Sequence, residues 1–149
     1  MKKIDVGQMI TIIANVGVIA GIVFLGIEIR QNSSIARASA FQENVRSLVD
    51  FRQNIAESED LARLWSHYLN GTSDELQGLD VMRQNSLIGN LVEIYQTAFF
   101  SKNYGFIGDD EWRRFRSGVC VHYGLFQGRV SNLITDEFAE FLEAECGTP

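Results

Sequence analysis

The sequence predicts an all-α fold: a single N-terminal transmembrane helix, continuous with a long amphipathic helix, followed by a small bundle of about four further helices. Three observations predict it. Residues 9–27, MITIIANVGVIAGIVFLGI, form a run of nineteen residues without a charge. From residue 27 to residue 70 there is neither Gly nor Pro, and the one Pro of the chain is its last residue. A gap of that length suits helices and is hard to reconcile with a turn-rich β fold. Beyond it, apolar residues recur at three-four spacing in separate blocks.

The first element is the apolar run. At about 1.5 Å per residue it spans roughly 28 Å, close to the roughly 30 Å of hydrocarbon that a membrane helix must cross. On a helical wheel Ile12, Val16, Ile19, Val23 and Ile27 share one arc with Ile13, Ala20 and Phe24, and that arc suits lipid. The opposite half collects Thr11, Ala14, Gly17, Gly21 and Glu28, with Asn15 and Gly26 toward its margin. Gly17 and Gly21 make a G-x-x-x-G, whose small residues let two backbones approach, and an amide such as Asn15 prefers a partner helix to acyl chains. Ala14, Asn15, Gly17 and Gly21 are therefore the candidate association residues, and the chain is expected to be a homo-oligomer or a subunit of a membrane complex. A cleavable signal peptide is the rival reading, with Lys2 and Lys3 as its basic start and Ala38-Ser39-Ala40 as a small-residue cleavage site. The apolar run is longer than an h-region of roughly 7 to 15 residues, however, and Glu28, Arg30, Gln31 and Asn32 stand before any cut. The division that follows is an anchor over residues 1–31 and a helical domain over 32–149, enough for one small domain.

After Asn32-Ser33-Ser34, read as a cap or kink, a helical pattern continues to about Glu57. Ala38, Phe41, Val45, Leu48 and Ile55 form its narrow apolar stripe, and Arg52 occupies one turn of the seam. Ser58 reads as an N-cap for a short helix over 59–69 with Leu61, Leu64, Trp65 and Tyr68 inward, ended by Asn70-Gly71. Ser73-Asp74-Glu75 is read as the start of the longest soluble helix, running to about Asn103. Val81, Ile88, Leu91, Val92, Tyr95, Ala98 and Phe99 form its apolar side. Arg83, Ser86, Asn90, Glu93, Thr97 and Ser101 line the other, a solvated face or one wall of a site that Met82 and Phe100 would partly cover. Asp109-Asp110-Glu111 opens another helix, with Trp112, Phe115, Val119, Tyr123 and Phe126 as its stripe until Gly124 and Gly128 break the pattern. Thr135 caps a last short helix in which Phe138, Phe141 and Leu142 pack inward.

The chain carries 13 basic and 19 acidic residues, a formal charge of −6. That surface makes nucleic acid a poor partner. Orientation in a membrane is close to a tie, since Lys2 and Lys3 flank one side while Arg30, Arg37 and Arg46 lie near the other. Cys120 and Cys146 do not resemble a disulfide framework and suit a reducing compartment, which places the C-terminal domain in the cytoplasm.

Motifs for chemistry are scarce. The two His, His67 and His122, lack second ligands at metal spacing, and there is no H-E-x-x-H, paired C-x-x-C, G-x-G-x-x-G, P-loop or G-x-S-x-G. Cys120 and His122 fall about 200° apart on a helix, poor geometry for a shared metal or a thiolate pair. No cofactor or metal is expected. Arg113, Arg114 and Arg116 beside Trp112 and Phe115 form the one basic-aromatic cluster, a candidate partner or lipid contact. The plainer account pairs those arginines with Asp109, Asp110 and neighbouring helices. Glu93 is a carboxylate expected to be partly buried, though one carboxylate is not a mechanism.

The order of parts carries a resemblance. An apolar N-terminal helix closing in Ile27-Glu28-Ile29-Arg30-Gln31-Asn32, an Ala-rich continuation through Ala36-Arg37-Ala38-Ser39-Ala40-Phe41, and then Asp60-Leu61-Ala62-Arg63-Leu64-Trp65 resemble a widespread group of small bacterial membrane-anchored proteins of unknown function. Tyr104-Gly105, Glu111-Trp112 and Asp136-Glu137-Phe138 extend the likeness. The chain departs from the group at Gly124-Leu125-Phe126-Gln127-Gly128, where members tend to have a Pro-Gly turn and paired tryptophans. The resemblance implies an anchored helical domain in the bacterial inner membrane and supplies no activity. The reading is thus a non-enzymatic, single-pass, membrane-anchored interaction or accessory subunit in contact with membrane lipid. The alternative is an anchored ligand-sensing domain, with the Arg83 to Ser101 line and the Arg113 cluster around a pocket; a membrane-bound enzyme has the least support.

Overall fold

A computed structural model of the chain describes residues 6–126 and 130–147. The described residues are all-α, with five α-helices, two short 3-10 turns and no strand. They divide into two compact units after Arg37, and helix α1, Val6–Glu57, contributes to both.

In the first unit every described side chain is exposed. The Thr11 hydroxyl donates to the Gly7 carbonyl at 3.0 Å and the Ser33 hydroxyl to the Ile29 carbonyl at 2.8 Å, so these polar groups are satisfied on their own helix. Asn32-Ser33-Ser34 therefore do not cap a helix, since α1 runs through them without a break, which corrects the expected cap. This is the one helix among the described residues that is long and apolar enough to cross a membrane, and its apolar window contributes nothing to any core. So continuous an apolar surface is far beyond the few hundred Å² that a soluble monomer leaves in contact with water.

The second unit holds the remaining elements: the end of α1, α2 (Glu59–Leu69), α3 (Leu79–Asn103), α4 (Asp109–Phe126) and α5 (Asp136–Cys146). The helix starts follow capping chemistry. Ser58 accepts from the Leu61 N–H at 3.3 Å and Thr135 from the Phe138 N–H at 3.4 Å. At α4 the Glu111 carboxylate reaches back to the Gly108 N–H at 3.1 Å, the return half of a capping box. One start differs from the sequence expectation. Ser73–Glu75 wind as a single 3-10 turn, Leu76 then dips into the core, and Gly78 takes φ +55° before α3 begins at Leu79. Three acidic or hydroxyl residues look like a first helical turn, but burial of Leu76 and the positive φ that Gly78 accepts without a Cβ penalty win locally. At the other end of α4, Gly124 lies within the helix, while Gln127 and Gly128 fall outside the described residues.

Helix α3 is the centre of this unit, packed against α2, α4 and the 3-10 turn Ser131–Leu133, with α5 on α4. Its apolar side is buried as the pattern predicts: Ile88, Leu91, Val92, Tyr95, Ala98 and Phe99 join one core with Phe115, Val119, Phe138 and Leu142. The pattern does not show three buried amides. The Gln84 amide donates to the Leu64 carbonyl of α2 at 2.9 Å, the Gln96 Oε1 accepts from the Thr135 N–H at 2.8 Å, and the Asn44 amide donates to Ser101 Oγ at 3.1 Å. On α1 the stripe is centred differently from the expected one: Asn44 and Phe51 are buried, Phe41, Val45, Leu48 and Ile55 are partly buried, and Ala38 is exposed.

Replacing Gln96 with Leu keeps the volume and strands the Thr135 N–H at the start of α5. Urea unfolding of the full chain in mild detergent should show a loss of about 1 to 2 kcal/mol, the range for an abandoned partly buried donor.

Candidate functional site

Three of the concavities of the second unit collect polar side chains: one of about 440 Å³, lined by Asn85, Ser86, Asn90, Glu93 and Asn132, and two where α1 and α2 meet α3. The larger is an open groove of about 600 Å³ where the end of α1 and the start of α2 meet α3. Its floor is Phe51, Leu61 and Leu87, and Asn54, Arg83, Ser86 and Asn90 stand along its walls. Arg83, Ser86 and Asn90 belong to the polar line foreseen on α3, so that line does form part of a concave wall while remaining exposed. At the rim Arg63 holds Asp80 at 3.0 Å, and Asp60 lies within ion-pair distance of Arg63 and Arg83. Glu93 and Met82 are both exposed, so neither the partly buried carboxylate nor the covering methionine is found.

The smaller concavity, about 150 Å³, lies where α1, α2, α3 and α4 converge. Phe51, Trp65 and Tyr95 line it together with His122 and Arg52. His122 sits among rings, its centroid 5.6 Å from Trp65, 6.1 Å from Tyr68, 6.2 Å from Tyr95 and 6.1 Å from Phe126. The seat depends on Gly118, because a Cβ there would stand 2.5 Å from the Tyr95 hydroxyl. Two buried polar atoms of this cluster, His122 Nδ1 and the Tyr68 hydroxyl, have no hydrogen-bond partner. Burial pushes the Tyr68 and Tyr95 hydroxyls up from their ordinary values and pushes His122 down from 6.5, the Arg52 charge adding to the effect on His122. His67, by contrast, is tied to the turn after α2, its Nδ1 2.9 Å from Thr72 Oγ1.

The other candidate residues are dispersed. Arg113 pairs with Asp110 and Arg116 with Glu145, Arg114 is exposed, and none of the three lines the concavities that take in the α3 line. Asp109 is taken by Lys102 rather than by an arginine, and that hydrogen bond and charge hold its carboxyl below the usual range. Ala14, Asn15, Gly17 and Gly21 are exposed on the first unit, and a Cβ added at either glycine would meet nothing within 4 Å. Among the described residues no three His, Cys, Asp or Glu side chains gather as a metal site requires.

One expectation is overturned. Cys120 of α4 and Cys146 of α5 form a disulfide across a Cα separation of 5.1 Å, so neither is free. Their spacing hid the pairing because α5 packs back on α4, beside the Arg116–Glu145 ion pair. Closing a loop of 26 residues is worth about 3.5 kcal/mol in the chain-entropy account. It also removes the ground for a reducing compartment, since such bonds persist where the medium oxidises.

Comparison with protein-family models, with curated proteins and with solved structures finds no match.

Two outcomes follow from this chemistry. His122 is lowered in the folded state, so the unfolded chain binds more protons once the pH drops below about 6.5. Its contribution is complete above that value and is lost as pH falls through the lowered folded value; His122→Gln should flatten that part of a plot of urea midpoint against pH. In freshly acid-quenched cells, Cys120 and Cys146 should resist alkylation until a reductant is added.

Proposed function

We propose that the chain is a non-enzymatic, single-pass anchored protein of the bacterial inner membrane that associates through its membrane helix and presents its helical domain as an interaction or accessory subunit. The observation that carries this reading is the contrast between the two units. Residues 6–37 bury nothing, while the described residues from 38 to 147 close a core of their own. A nineteen-residue uncharged segment with no protein contact takes lipid as its solvent. The open Cβ positions of Gly17 and Gly21, on the side that also carries Ala14 and Asn15, support close approach of a second helix. The disulfide supports display of the domain on the oxidising side of the membrane, with Lys2 and Lys3 retained in the cytoplasm. The exposed Arg114 and its neighbours supply a contact for an acidic partner or lipid headgroup.

The groove beside α3 supports a second reading, a ligand-sensing domain, because its 600 Å³ and its convergent Asn54, Arg83, Ser86 and Asn90 are in the size and polarity range of small-molecule sites.

Association is tested by the detergent-resolved mass of the intact protein. Gly17→Leu and Gly21→Leu should lower the assembled fraction, while Val16→Leu should leave it unchanged. Equal masses for wild type and both glycine variants would remove association through the anchor.

A further inference from the structure

The cavity at His122 has a composition that selects a ligand. Its inner wall is apolar: Leu48 and Ile55 from α1 and Leu91 from α3 join Phe51 and Trp65. Its volume, about 150 Å³, matches that of an engineered apolar cavity known to admit benzene. The wall carries one formal charge, Arg52, and no carboxylate. Arg52 forms no ion pair among the described residues, although its charge reaches both Tyr95 and His122. The side chain of Arg52 is exposed, which sets the cation at the mouth and leaves the apolar wall behind it.

Ring faces alone would suit a cation, but Arg52 would repel it. A dicarboxylate would leave its second charge in an apolar cavity with no counter-ion, which is costly. We propose that this cavity binds a small monocarboxylate with a compact apolar body of about benzoate size, its carboxylate at the Arg52 guanidinium and its body against Leu48, Phe51, Ile55, Trp65 and Leu91. A planar guanidinium takes a carboxylate through two parallel hydrogen bonds. The inference goes beyond the anchored-subunit reading and needs neither association of the anchors nor a ligand in the α3 groove.

The test is titration of the full chain in mild detergent with benzoate and, separately, with benzylammonium, a cation of similar size. Thermal midpoint and Trp fluorescence are read together, since Trp65 is part of the wall. Benzoate should give a saturable rise in midpoint with a matching fluorescence change, and benzylammonium neither. Arg52→Gln should weaken benzoate by about tenfold or more, as expected for loss of a charged hydrogen-bond donor. Leu48→Phe, which narrows the cavity, should weaken the response while Arg52 remains. The assignment is overturned by no saturable benzoate response in the wild type, by an equal response to benzylammonium, or by an Arg52→Gln variant of unchanged affinity. Because the comparison of the two probes uses the wild-type chain, it decides the matter even where a variant does not fold.

Discussion

Three buried amides decide how the helices of the second unit meet. Apolar contacts drive burial but have little direction, so a helix with a broad apolar side is free to slide or rotate against its neighbours. A buried amide is different, because leaving it unpaired costs more than the pairing gains. Gln84 donates to the Leu64 carbonyl of α2, and Gln96 accepts from the Thr135 N–H in the chain before α5. Asn44 spans from α1 to Ser101 near the end of α3. Each bond ties α3 to a different element, and together they fix the register of the unit.

The site inherits that register. Leu91 and Tyr95 lie between Gln84 and Gln96 on α3, so the wall they supply is set by the amides at either side. Helix α4 delivers His122 into the same space because Gly118, one turn earlier, lets α4 close on the Tyr95 hydroxyl. The opposite face of α4 carries Cys120 to α5, which is why two residues so near in sequence serve a ring cluster and a covalent tie. Cavity and disulfide are thus two sides of one helix.

Much of the architecture was legible in the residues. The long apolar N-terminal helix needed only the length of its uncharged run, and the limits of α2, the start of α4 and the Thr135 cap followed from capping chemistry and three-four spacing. What escaped was what depends on partners distant in sequence. Asn44, Gln84 and Gln96 drew no reading from the sequence, because no local pattern shows a carbonyl or N–H that tertiary packing supplies. Phe51 was missed for the related reason that the stripe on α1 was phased on its neighbours. The disulfide was misjudged from spacing alone, and the site at His122 was hidden because a lone His is ordinarily a core residue. The line along α3 was seen correctly as polar, but only folding showed that its first half borders a groove.

The central claim is that α3 is the post to which the rest of the domain is pinned. Hydrogen exchange of the full chain in lipid nanodiscs tests it most directly, since protection reports local opening free energy. The account predicts that amides from Leu87 to Phe99 exchange most slowly in residues 38–147, with α2 and α5 opening before them. Protection in α2 or α5 that exceeds that of α3 would contradict it.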